Sequence, residues 1–180
     1  MLFRSLRAIS AAMDRLTTIL QRRPDFGLHD DTQATARWEG GLRVVSCHEN
    51  GTQVLTDMPA ELGGGGTQVT PGWLMRAGLA SCTATRIAMA AASGQIELSM
   101  LEVSANSHSD ARGLLGMVNA DGVAVAAGPC DMALTVRIAA PGVAPERLRS
   151  LVEESYRCSP VSDALCRAVP VSLRIDIDGG

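Results

Sequence analysis

From Leu2 to Gln21 the apolar residues Leu2, Leu6, Ile9, Met13, Leu16 and Leu20 recur at intervals of three and four, until Arg22-Arg23-Pro24 ends the run. That is the helical period, and it predicts an amphipathic helix. The arginines of this segment also fit an organelle-targeting presequence, but Asp14 runs against such a composition, so a packing helix is the reading adopted. Over Thr32–Trp38, Leu42–Cys47 and Thr52–Thr56 the pattern changes to short strand-like runs, the last two joined across Glu49-Asn50-Gly51. An Asn-Gly pair between such runs is a strong hairpin signal, so a small antiparallel sheet is expected. Gly63 to Gly66 have no side chains to fix them, and a flexible connection is expected there. Thr70-Pro71 then supplies an N-cap and a first-turn proline for a helix over Gly72–Ser93 that stops at Gly94. Its Ala77, Gly78, Ala80, Ala84, Ala88 and Ala91 lie on several faces and predict burial on more than one side.

Further along, Ser99–Ser107 and Met132–Ala139 alternate apolar and polar, while Gly113, Gly116, Gly122 and Gly128 punctuate the stretch between them. Two strands separated by a glycine-rich excursion are expected. Pro145 opens a second long helix with Leu148, Leu151, Val152 and Tyr156 on one stripe, and Ser159-Pro160 reads as N-cap and first residue of a short third one. Val169, Val171, Leu173, Ile175 and Ile177 point one way at period two and predict a closing, half-buried strand. Residues 1–24 form an N-terminal amphipathic helical extension.

Composition narrows this picture. A chain of 180 residues that is 46% hydrophobic suits one domain, but aromatics make up only 3%, so the core must be built from side chains with smaller individual burial terms. Subunit association would offset that shortfall. The net charge is −3 and no basic run exceeds Arg22-Arg23, so no nucleic-acid partner is expected. All 16 basic residues are arginine, which excludes Schiff-base lysine chemistry and a phosphate-binding P-loop. The most apolar stretch, Gly72–Ser93, is broken by Arg76 and Arg86, so no membrane span is expected. The five cysteines (Cys47, Cys82, Cys130, Cys158 and Cys166) form no Cys-x-x-Cys pair, and no secretory signal is evident, which predicts a reduced, cytoplasmic protein. His29, His48 and His108 have no ligand partners at metal spacing and read as solvated loop positions; neither a metal nor another cofactor is expected.

One pair of residues changes the picture from fold to chemistry. Cys82 lies about three turns into the helix, and Arg86 follows it at the i,i+4 spacing that places a guanidinium beside a sulfur. A neighbouring cation favours the thiolate, which is the nucleophilic form. The spacing alone fits equally a small buried cysteine with Arg86 at the surface. Cys158 stands just before the predicted helix at Pro160, where unpaired backbone amides favour negative charge. Cys47, Cys130 and Cys166, in a strand, a loop and the third helix, read as structural.

Ala36-Arg37-Trp38-Glu39-Gly40, Gly63 to Gly66, Thr70-Pro71, Leu74, Ala77-Gly78, Ala80-Ser81-Cys82 and Ser159-Pro160-Val161-Ser162 together resemble the OsmC/Ohr superfamily. The resemblance spans Thr32 to Asp178, and its most specific part is the spacing from Pro71 to Cys82. It implies that residues 32–178 form a single domain of α+β class, an OsmC-like fold of antiparallel sheets packed around a long central helix, with two chains intertwined as a homodimer and sites built from both. It also implies a thiol peroxidase that reduces organic hydroperoxides in oxidative stress defence. Cys82 would be the peroxidatic cysteine, Cys158 the resolving one, Arg86 or Arg37 the activating cation, and a dithiol the reductant. Peroxidase members carry a glutamate after the helix-starting proline, where Gly72 stands here. They carry the second cysteine directly before the later proline, where Ser159 stands and Cys158 comes one residue earlier. These departures motivate an alternative on the same scaffold: a non-catalytic protein that binds a small apolar ligand, with inert or redox-sensing cysteines.

Overall fold

The computed structural model describes residues 6–178. The chain begins with α1 (Leu6–Arg22) and continues through β1 (Thr35–Gly40), β2 (Arg43–Cys47) and β3 (Gln53–Thr56). Next come α2 (Pro71–Ser93), β4 (Met100–Ser109), the single turn α3 (Ala111–Leu114) and β5 (Pro129–Ala139), followed by α4 (Pro145–Arg157) and α5 (Pro160–Arg167). The part of the first predicted helix over Leu2–Ser5 lies outside the described residues. The strands form two separate antiparallel sheets, β1-β2-β3 and β4-β5. No helix among the described residues is long and apolar enough to cross a membrane.

Local signals account for the boundaries. Thr70 caps α2, its Oγ1 accepting from the Trp73 N–H at 3.1 Å. The β2–β3 hairpin turns where Gly51 takes a φ of +87°, and Asn50 Oδ1 accepts from the Thr52 N–H at 2.9 Å. An asparagine side chain that closes the turn beside a glycine with positive φ explains why this pair marks hairpins. The glycine-rich excursion between β4 and β5 contains α3, capped by Asp110. His108 and Cys130, expected in loops, instead stand on β4 and β5, because that pairing extends out to Ser109 and Pro129. There His108 meets Asp131 on the neighbouring strand at 2.7 Å.

The glycine run before α2 is held in place, contrary to the flexible connection expected. Asp57 is 1% exposed, and its carboxylate accepts from the N–H of Met58 at 2.7 Å and of Gly65 at 2.9 Å. A Cβ on Gly64 would stand 1.9 Å from the Met58 carbonyl oxygen, and one on Gly65 would stand 2.8 Å from Asp57 Oδ2. The backbone therefore wraps a buried carboxylate so closely that only glycine fits. With the bond from the Asp57 N–H to the Val69 carbonyl at 3.1 Å, this wrap sets where α2 begins.

The core is small and lies on α2. Ile87 and Ala91 pack with Ile96 and with Leu148 and Leu151 of α4, and side chains of β4 and β5 such as Leu101, Val103 and Val136 close over them. α2 touches α1, β4, α4 and α5, whereas the β1-β2-β3 sheet makes no extensive contact with any other described helix or strand. α1 lies on α2 without burying any of its own residues, and Ser93 Oγ donates to Met13 Sδ at 3.5 Å.

The strand predicted over Val169–Ile177 is not formed. Past α5 the chain runs on without a hydrogen-bonded partner strand, and Val171, Leu173 and Ile177 are 85% or more exposed. A strand exists only through pairing, so an alternating sequence without a neighbour stays extended and wet. The accessible surface reflects this: 13546 Å² for an 18.8 kDa chain, against roughly 8300 Å² for a folded monomer of that mass.

Two measurements check this description. Gly64→Ala forces a Cβ into the Met58 carbonyl and should lower stability by about 1–3 kcal/mol, read as a lower midpoint in urea. The His108 imidazolium is raised above the ordinary histidine range by its hydrogen bond to the Asp131 carboxylate and then by that group's charge. The pair therefore supports the fold fully below the ordinary value, and its contribution is lost as pH rises through the raised one. An NMR titration should place His108 above the ordinary range, and Asp131→Asn should return it there.

Candidate functional site

Cys82 lies almost three turns into α2 and is half-buried. Its neighbours on the buried face of the helix, Leu79 and Thr83, are 4% and 1% exposed. The start of α5 approaches at this level, and it meets α2 with hydroxyls. Ser159 is fully buried, and its Oγ donates to Cys82 Sγ at 3.4 Å. Three residues later, Ser162 Oγ lies 3.4 Å from Thr83 Oγ1. Thr83 spends its own proton on the Leu79 carbonyl at 2.9 Å, so the Ser162 hydroxyl is the donor between the two. Paired hydroxyls satisfy one another and let the helices approach without a buried, unmet polar group.

This corrects one expectation for Ser159. Its position is that of the N-cap, directly before Pro160, but its side chain makes no capping hydrogen bond. The hydroxyl is turned onto Cys82 instead. A Ser-Pro pair reads locally as a cap, and nothing in its own neighbourhood announces that the oxygen is used 77 residues away in sequence.

The cations divide into two groups. Arg86 follows Cys82 by one turn of α2, is half-buried, and buries its Nη1 with no hydrogen-bond partner. A guanidinium N–H left unpaired in the interior is costly, and an anionic group beside it would satisfy it. Arg76, which the sequence reading assigned no role, has its Nη1 on Ser107 Oγ at 3.1 Å and ties α2 to β4. Arg37 is elsewhere: it lies exposed on β1 and shares a polar depression on the N-terminal sheet with Glu39, Arg43 and Gln53. Within one chain, therefore, Arg86 is gathered with Cys82 along α2 and Arg37 is not.

Cys158 is the C-cap of α4 and is exposed. It lines a surface depression with Arg157, Ser159, Pro160 and Asp163, which Cys82 does not line. Cys130 and Cys166, read as structural, are both exposed; Cys47 is half-buried on β2. Cys166 accepts or donates a 3.9 Å contact with the Tyr156 hydroxyl, and that contact raises the Tyr156 phenol above its ordinary range. Both residues border a cavity of about 550 Å³, whose walls include Leu79, Thr83, Leu134 and Val152. Among the described residues, no group of three histidine, cysteine or acidic side chains is gathered to hold a metal.

Comparison with known proteins follows this geometry. Solved structures share the fold. An OsmC-like protein from Mycoplasma pneumoniae is similar at a TM-score of 0.63 and 15% identity, over 78% of this chain and 90% of that one. An organic hydroperoxide resistance protein OsmC from Legionella pneumophila is similar at 0.55 and 21%, over 77% and 90%. An OsmC-like protein of unknown function from Vibrio cholerae is similar at 0.60 and 13%, over 76% and 94%. Among functionally curated proteins, no relative matches. Residues 64–174, which carry α2, Cys82, Cys158 and Ser159, match the family described as OsmC-like protein, and the chain belongs to that family.

Proposed function

We propose that the protein is a thiol-dependent peroxidase that reduces organic hydroperoxides, using Cys82 as its nucleophile, in the cytoplasm and as a homodimer. The observation that carries this reading is the half-buried Cys82 sulfur with a fully buried donor, Ser159 Oγ, 3.4 Å away. A hydroxyl donor stabilises negative charge on sulfur, and partial exposure leaves the sulfur open to a small oxidant. The thiolate attacks the outer oxygen of the hydroperoxide. An S–O bond forms as the O–O bond breaks, and the alkoxide leaves to take up a proton as alcohol. The unpaired Nη1 of Arg86, one turn away, is suited to the negative charge that this step moves onto oxygen. Cys82 is left as a sulfenic acid, which a second thiol must reduce.

What one chain leaves uncovered supports the dimer. The alternating segment Val169–Ile177, the little-contacted N-terminal sheet and the large accessible surface are features of a chain that completes its core with a second copy. In this proposal the terminal segment adds as a strand to an open sheet edge of the other copy, and sheets from both chains pack around α2. Sites built from both subunits would give Arg37, remote within its own chain, a route to the partner's thiol. A second reading, binding of a small apolar ligand without catalysis, is favoured by the 550 Å³ cavity, because Cys82 is not among its lining residues.

Consumption of tert-butyl hydroperoxide in the presence of a thiol reductant separates the two readings. Wild type should turn over, Cys82→Ser should fall to the rate without protein, and Arg86→Gln should be slower by at least about tenfold. A wild type no faster than Cys82→Ser defeats the peroxidase reading. Light scattering tests the assembly: the full chain should have twice the chain mass, and truncation after Ala168 or the pair Val171→Asp with Leu173→Asp should give monomer. A full-length monomer would refute the dimer.

A further inference from the structure

We infer that the sulfenic acid of Cys82 is reduced by a small monothiol from solution, with no disulfide to Cys158 in the cycle. The inference rests on the reading that Cys82 is oxidised by peroxide. Its basis is the occupancy of the position from which a resolving thiol would have to act. That position, at the start of α5 within reach of the sulfur, is filled by the fully buried hydroxyl of Ser159. Oxygen there donates a hydrogen bond but forms no S–S bond.

Cys158 is adjacent in sequence but lies at the surface. It ends α4, it is exposed, and it lines a depression together with Arg157, Ser159, Pro160 and Asp163. The backbone at this corner is pinned at consecutive residues. The Cys158 N–H donates to the Ser155 carbonyl at 3.2 Å, the Ser159 N–H donates to the Tyr156 carbonyl at 3.1 Å, and the Ser159 carbonyl accepts from the Asp163 N–H at 2.9 Å. With the corner held in this way, Ser159 is the residue of the α4–α5 junction that contacts the Cys82 sulfur. Disulfides tolerate Cβ–Cβ separations of only about 3.5–4.5 Å, and in this inference Cys158 stays outside that range while the corner holds. Cys166 offers no substitute. It stands two turns along α5 from Ser159, on the apolar cavity that the Thr83–Ser162 pair borders and Cys82 does not. Cys82 itself is only half-buried, which admits a small molecule.

The cycle then closes with two equivalents of thiol. The first thiolate attacks the sulfenic sulfur and forms a mixed disulfide with Cys82, and the hydroxide released takes a proton to become water. The second attacks the added sulfur, leaves as the oxidised dimer of the small thiol, and returns Cys82 as thiolate. Two electrons pass from the two thiols to the peroxide, which becomes alcohol and water.

The test uses the full chain, tert-butyl hydroperoxide and glutathione as the probe thiol. After one equivalent of peroxide without glutathione, dimedone should label Cys82. Adding glutathione instead should yield the Cys82–glutathione mixed disulfide by mass spectrometry. Turnover with glutathione should persist in Cys158→Ser within about twofold of wild type. Ser159→Cys, a near-isosteric change at 3.4 Å from the sulfur, should create an internal disulfide with Cys82 and abolish dimedone labelling. A wild-type Cys82–Cys158 disulfide, a disulfide between two copies that forms at the rate of turnover, or loss of turnover in Cys158→Ser would overturn the inference while leaving the peroxidase reading intact. No dimedone label and no peroxide loss would defeat both.

Discussion

Every element that positions Cys82 is anchored to one stripe of α2, where Leu79, Thr83, Ile87 and Ala91 follow one another at intervals of four and are all buried. Such a row forms a ridge along which other helices pack. Ile87 and Ala91 carry the apolar end and hold α4 through Leu148 and Leu151. Thr83 carries the polar end and meets Ser162 of α5. Because the residue next to Thr83 is Cys82, docking α5 on this ridge also delivers Ser159 to the sulfur. The site is thus a consequence of how two helices share a face, and its geometry is as firm as that packing.

Legibility in the sequence tracked locality. Thr70-Pro71 and Ser159-Pro160 marked helix starts because a cap and a first-turn proline act within one turn, and both helices begin there. The alternating runs of β4 and β5 were readable for the same reason, although the ends of their pairing were set by the partner strand. Long-range uses of single atoms were invisible. Gly63 to Gly66 looked like slack chain because the group that fixes them, the Asp57 carboxylate, gives no sign in its own neighbourhood that it will be buried. Ser159 holds the N-cap position that the Ser-Pro pair predicts, but the use of its hydroxyl was not legible, since only the arrival of α2 gives it the Cys82 sulfur as a partner.

The terminal segment shows the same limit from the other direction. Period-two alternation from Val169 to Ile177 specifies a strand with one apolar face, yet a single chain offers it no neighbour, and Ile177 is 87% exposed. The pattern records a demand for a partner without saying where the partner comes from. A chain with few aromatic side chains and a core confined to one helix and its immediate neighbours has little interior surface of its own to offer. The small core and the unpartnered strand are then two expressions of one shortage, and a second copy of the chain would relieve both.

Family membership transmits the fold more faithfully than the reaction cycle, and residue 159 shows why. Exchanging sulfur for oxygen at a buried position changes volume little, so helix packing, the proline start and the approach to Cys82 are all preserved. What changes is the chemistry open to the oxidised sulfur: a hydroxyl supports the charge on its neighbour through a hydrogen bond but supplies no electrons to a sulfenic acid. In the proposed cycle the exposed Cys158, one residue earlier at the end of α4, takes no part, and backbone hydrogen bonds at Cys158 and Ser159 hold this corner. On the proposed cycle, Ser159 supports the charge on Cys82 without supplying a reductant, which leaves the reduction of Cys82 to a thiol from outside.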